Sequence, residues 1–209
     1  MKTLKLIGIV LSFTINLYSQ GMNNNLDYDK EDLNIIFKEL GISTFKFPVK
    51  QSSDQIMDIV LEEYENKELI NRISIIDETQ KSFEAIGIDA LSYFKPKADS
   101  VYLHRFYFIK GDSIVKVRIK THGIQTFKEF SLKGKSLFDI NTHADVSTVL
   151  KDDDYLEFNN IPEVLVYLYA NSSEEKDKPL WCSNGLSKQE LLEQFHYFIF
   201  VSVQPYERE

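Results

Sequence analysis

Apolar and polar positions fall into two periods along this chain. Leu33, Ile36, Phe37 and Leu40 recur at i, i+3, i+4 and i+7, the spacing of one helical face, and predict a helix over Asp29 to Leu40. Asp29 stands where a cap is needed, Glu31 and Asp32 follow in the first turn beside the positive dipole end, and Gly41 is a natural stop. The period then drops to two. Ile42 to Val49 reads as extended, with Phe45, Phe47 and Val49 on one face, and Pro48 marks an edge because it has no N–H for a ladder.

Ile56 to Tyr64 and Leu69 to Ile76 both read as strands, joined by the polar link Glu65 to Glu68. Met57, Ile59 and Leu61 share a face, matched by Leu69, Ile73 and Ile75, while Asp58 and Glu62 point the other way. Ile56, Ile59, Val60 and Glu63 also fit a helical stripe over 54–71. The hairpin is preferred because the β-branched character continues through Ile76. Residues 77–94 are ambiguous: Phe83, Ile86 and Ala90 suit a short helix that Gly87 weakens.

A second hairpin is clearer. Val101 to Lys110 and Ser113 to Lys120 flank Gly111-Asp112, and Val115, Val117 and Ile119 alternate with Lys116, Arg118 and Lys120. Short strands are expected at 124–132 and 163–170. Ser187 and Glu190 form a capping box opening a helix through Phe195. His196 to Val203 is apolar almost throughout, which predicts a central strand covered on both faces. Residues 171–178 read as a polar loop. The expected fold is α+β, mainly antiparallel sheet, with an N-terminal helix and a short C-terminal helix before a central last strand; a sandwich is one arrangement left open.

The N-terminus departs from this pattern. Lys2 and Lys5 precede an apolar run, Leu6 to Ile15, and a more polar exit ending at Ser19, which together read as a signal peptide cut after residue 19. The run is short for a bilayer span, so no stable membrane insertion is expected after cleavage; an uncleaved N-terminal anchor is the alternative. The expected organisation is therefore a leader, 1–19, and one globular domain, 20–209, exported to the periplasm or the extracellular space. Cys182 is the single cysteine, which excludes an internal disulfide. At about this length apolar packing suffices without a metal or disulfide staple.

Charge changes the picture most. The full chain carries a net charge of -8. Residues 95–135 nevertheless hold ten Lys and Arg against only Asp99, Asp112 and Glu129. Lys116, Arg118 and Lys120 on one strand face make an anion-facing or acid-partner-facing surface. The plainer account has Asp58, Glu62 and Glu63 neutralising them across strands. Nucleic acid is excluded as a partner by the acidic total and the lack of a binding motif.

Candidate chemistry is sparse. Asp139, Asn141, His143 and Asp145 alternate as calcium ligands do, but Ala144 stands where the loop needs glycine and Leu150 where it needs a bidentate Glu. Asp152, Asp153, Asp154 and Glu157 read as a solvated turn. None of His104, His122, His143 and His196 has metal-ligand spacing, and no phosphate loop, dinucleotide fingerprint or Gly-x-Ser-x-Gly occurs. No metal and no cofactor is expected. Cys182 and His196 are a conceivable nucleophile–base pair whose meeting sequence does not decide. Trp181, the single Trp, lies in the loop Pro179 to Gly185, where an aromatic anchors a partner or a sugar or folds back over the core.

These features point first to an exported, non-enzymatic domain that binds another protein through a charged surface carried by Lys116, Arg118 and Lys120, with an immunity-type inhibitor of a toxin as the concrete version. The alternative is a periplasmic glycan or small-ligand binder using Trp181 and exposed tyrosines. The third is a hydrolase whose carboxylates, or Cys182 and His196, assemble only in space.

Overall fold

A computed structural model describes residues 30–121, 123–143, 145–146, 150, 154–157, 161, 163–172 and 186–207. The chain divides into two compact units, Met1–Glu39 and Leu40–Glu209. The first contributes helix α1, Lys30–Glu39, with Lys38 in its last turn beside the negative dipole end. The expected cap, Asp29, the leader and the loop carrying Trp181 and Cys182 lie outside the described residues, as do His122, Ala144, Asp152 and Asp153.

Among the described residues the second unit contains β1 Ile42–Gln51, β2 Met57–Glu65, β3 Glu68–Ser74, α2 Ile75–Glu84, α3 Leu91–Phe94, β4 Ser100–Lys110, β5 Ile114–Thr121, β6 Ile124–Ser131, β7 Lys135–Thr142, β8 Val166–Ser172, α4 Lys188–Leu192 and β9 Tyr197–Pro205. They form a four-stranded sheet, β1-β4-β5-β6, and a five-stranded sheet, β3-β2-β9-β8-β7. Every pairing between named strands is antiparallel. The fold is α+β, dominated by antiparallel sheet, as expected.

Alternation explains how the sheets meet. Phe106 and Phe108 of β4, with Val115, Val117 and Ile119 of β5, share one buried cluster with Ile59 and Leu61 of β2 and Ile199 and Val201 of β9. Two sheets contributing to one core make a sandwich. The five-stranded sheet is covered on its other face too. Tyr167, Tyr169, Phe198 and Phe200 pack there against Leu191, Leu192 and Phe195. Strand β9, fully buried from Tyr197 to Val203, is therefore central and two-sided as its composition predicts.

The edges are closed by separate devices. Pro48 lies in edge strand β1, and its carbonyl accepts from Leu156 N–H at 2.8 Å while Lys50 N–H gives 2.8 Å to Leu156 O. On the opposite side, Lys128 of β6 reaches Glu78 of α2 at 2.6 Å, and this cation beside Glu78 lowers the Glu78 pKa.

Several expectations are corrected. The preferred hairpin forms in place of the rival helix over 54–71, but its link is two residues, not four: Asn66 and Lys67 both take positive φ, 50° and 71°, while Glu65 and Glu68 remain paired. Such a turn matches the twist of its strands. Ile75 and Ile76 leave the strand and begin α2, because Ser74 Oγ accepts from Asp77 N–H at 3.0 Å and caps the helix. Leu69 is exposed rather than matched inward. Strand β7 goes unnoticed in sequence because its polar residues resemble a loop; of the calcium-like alternation, Asp139 and Asn141 fall in this strand, while His143 and Asp145 lie beyond its end. The C-terminal helix ends at Leu192 rather than Phe195, with its capping box intact.

Candidate functional site

The outer face of the four-stranded sheet is where charge collects. Lys116, Arg118 and Lys120 point outward from β5, between Val115, Val117 and Ile119, which are completely buried. Register brings in two cations that sequence reading did not join to them. Lys46 of β1 stands opposite Arg105 of β4, and Arg105 stands opposite Lys120 of β5. Three cations thus lie side by side across three strands, separated by about 4.8 Å per strand.

Aromatic surface lies beside them. Arg118 has Tyr107 of β4 on one side and Phe127 of β6 on the other. Phe127 is 51% exposed. Lys116 sits over its ring at 4.6 Å and pairs with Glu129 at 2.9 Å. Among the described residues, Lys46, Arg105, Arg118 and Lys120 have no carboxylate in ion-pair range.

Asp58, Glu62 and Glu63, the expected neutralising acids, belong to β2 in the other sheet and have other work. Asp58 is buried, accepts from Ile76 N–H at 3.1 Å, and so holds the start of α2. Glu62 pairs with Lys188 and lies 3.7 Å from Arg72. Burial works against the charge on Lys188, but the Glu62 hydrogen bond and field leave its pKa raised. Glu63 accepts from Tyr197 Oη at 2.7 Å; burial first, then this bond, raise the Tyr197 pKa. Sequence placed these acids on the right strand; which sheet that strand joins is a tertiary fact.

The described histidines each have a hydrogen-bond partner. His104 is completely buried, with Nδ1 2.8 Å from Thr121 Oγ1 and Nε2 3.3 Å from Gln51 Nε2. His143 Nε2 lies 2.7 Å from Leu186 O, and His196 Nδ1 lies 2.9 Å from Asn66 Oδ1. Whether Cys182 meets His196, and where Trp181 lies, falls outside the described residues. No group of three or more His, Cys, Asp and Glu is arranged to hold a metal among the described residues.

One concave feature gathers acids. A cleft of about 300 Å³ is lined by Asp58, Arg72, Asp77, Tyr206 and Glu207, among others. Desolvation pushes the Asp58 carboxyl up to about 6, despite hydrogen bonds from Ser74 and Ile76 that favour the anion. Asp77 Oδ1 accepts from Tyr206 Oη at 2.9 Å. A larger groove of about 640 Å³ runs between α2 and β6, past Phe83, Tyr93 and Lys128.

No protein-family model, curated protein or solved structure matches this chain. Its function must therefore be argued from its own surfaces. Among the described residues no helix is long and apolar enough to cross a membrane.

Proposed function

We propose that this chain is an exported, non-enzymatic domain that binds an acidic protein through the outer face of its four-stranded sheet. The row Lys46, Arg105 and Lys120 carries the reading. Like charges directly opposite on neighbouring strands cost stability, so a row of them is expected to be kept for a surface that an anionic partner completes. Tyr107 and Phe127 add the large, stiff contact area that protein interfaces favour. The leader-like residues 1–19 support export, and an immunity-type inhibitor of a toxin is the concrete form of the proposal.

The test is a capture experiment with residues 20–209 as bait, on envelope and secreted fractions, washed at low and high salt. The expected result is one acidic protein retained near one-to-one, weakened by salt, and lost from the K116E/R118E/K120E variant. Retention of the same protein by the reversed variant would sink the proposal.

A second reading, a hydrolase, draws on the Asp58 cleft, because a carboxyl with pKa about 6 can serve as a general acid near neutral pH. Hydrolysis of chromogenic glycosides that disappears in D58N, while the fold is retained, would favour it; no hydrolysis by the parent chain removes it.

A further inference from the structure

We propose that the partner presents an acidic α-helix, laid along β5. The inference rests on the reading that this face binds an acidic protein, and it names the element that docks.

Spacing is the first argument. Lys116, Arg118 and Lys120 follow one line along the strand at steps of about 6.8 Å. Acidic residues at i, i+4 and i+8 of a helix form a ridge inclined about 26° to its axis, with steps of about 6.0 Å along the axis and about 6.7 Å along the ridge. With the helix inclined so that this ridge runs along the strand, the mismatch over the two steps is below about 1 Å, which the long stems of Lys and Arg absorb. A helix inclined in this way sets three carboxylates along Lys116, Arg118 and Lys120 in order, with Lys116 shared with Glu129.

The second argument is what flanks that line. Tyr107 lies on one side of Arg118 and Phe127 on the other. Ile109 and Glu129 flank Lys116, and Arg105 and Gln125 flank Lys120. Around the middle of the line, apolar residues beside the acidic stripe of the helix meet aromatic rings on both sides. At the Lys120 end, Arg105 and Lys46 extend the positive field sideways. The best-fitting helix therefore has a narrow acidic stripe bordered by apolar residues at its centre.

The third argument removes the competing geometry. An extended segment laid flat on a sheet face leaves its own N–H and C=O groups without partners, whereas a helix satisfies them internally. Strand addition at the edge of β6 is opposed by Lys128, whose side chain turns in to Glu78. A charge pointing inward from an edge strand is a recognised block to further pairing.

The experiment titrates residues 20–209 with two fluorescent peptides of identical composition, each about 18 residues long so that helix can form. One carries Glu at i, i+4 and i+8 with Leu beside the stripe; the other has the same residues shuffled so that no two Glu share a face. Polygalacturonate is the third probe. The expected result is binding of the striped peptide at least about tenfold tighter than the shuffled one, with helicity rising on binding and salt weakening it. R118E and K116E/R118E/K120E, each checked for a native circular dichroism spectrum, should abolish that preference. Equal binding of the two peptides would overturn the helix and leave the acidic-protein reading standing. Binding of neither peptide, or unchanged binding to folded R118E, would overturn both. Tighter binding of polygalacturonate than of either peptide would assign the face to an anionic glycan and overturn both.

Discussion

Asp58 of β2 accepts a hydrogen bond from the backbone N–H of Ile76, 3.1 Å away, and so ties the strand that opens the first hairpin to the helix that follows its second strand. The carboxylate serves an unsatisfied amide of the first helical turn, one of four such donors at any helix start. Ser74 Oγ serves another, that of Asp77. The tie is made inside the fold, where a charge is costly, and burial raises the Asp58 pKa from 3.8 to about 6.

That shift has a definite sign. Folded Asp58 holds its proton more tightly than unfolded Asp58, so this group favours the folded state most at low pH. Its contribution falls as pH rises from about 4 to about 6 and is level above that. Asn at this position keeps an acceptor oxygen and carries no charge. The stability of D58N relative to the parent should therefore rise from pH 4 to pH 8, by on the order of 2 kcal/mol. Urea titrations at the two pH values measure it. A difference independent of pH would show that Asp58 does not titrate in this window.

Arg105 lies between Lys46 and Lys120 on neighbouring strands, a like-charged arrangement that helps binding and not folding. R105T should stabilise the domain by roughly 0.2–1 kcal/mol at low salt, through relief of repulsion and a residue suited to strands. The gain should fade in 1 M salt, where the Debye length is about 3 Å. Binding of an acidic partner should weaken in the same variant. A loss of stability at low salt would show that Arg105 is held by favourable contacts instead.

Lys67 takes φ 71° at the second central position of the two-residue turn between β2 and β3. That position favours glycine, because a side chain there crowds its own backbone. Lys67 also reaches Glu193, in a pair where both side chains are more than half exposed. Exposed pairs contribute little. K67G should therefore raise stability by about 0.5–1 kcal/mol, read as a higher midpoint in thermal or urea unfolding. A lower midpoint would mean that the Glu193 contact outweighs the backbone strain.

Much of this molecule is legible in its sequence. Strict alternation in Val115 to Lys120 determined which side chains enter the core, because one pleat turns each neighbour to the opposite face. The unbroken apolar run into Val203 determined a strand buried on both sides, and Ser187 with Glu190 determined where a helix begins. Local chemistry also placed Gly111 and Asp112 between two strands. These are decisions made within a few residues, by sterics and by the water that apolar groups leave.

What only the tertiary structure decided is lateral. Sequence did not say that β2 and β5 belong to different sheets, so Asp58, Glu62 and Glu63 were expected beside Lys116, Arg118 and Lys120. Nor did it join Lys46 and Arg105 to Lys120 in one row. It read Ile75 and Ile76 as strand because β-branched residues suit strands, while the cap from Ser74 and the carboxylate of Asp58 made helix the better state. Strand β7 was hidden because Asp139, Asn141 and Thr142 interrupt its apolar residues as a polar loop would, and it is held by pairing with β8. Each of these depends on contacts between residues far apart in the chain, whose free energy is set by which strands come together and not by any local pattern.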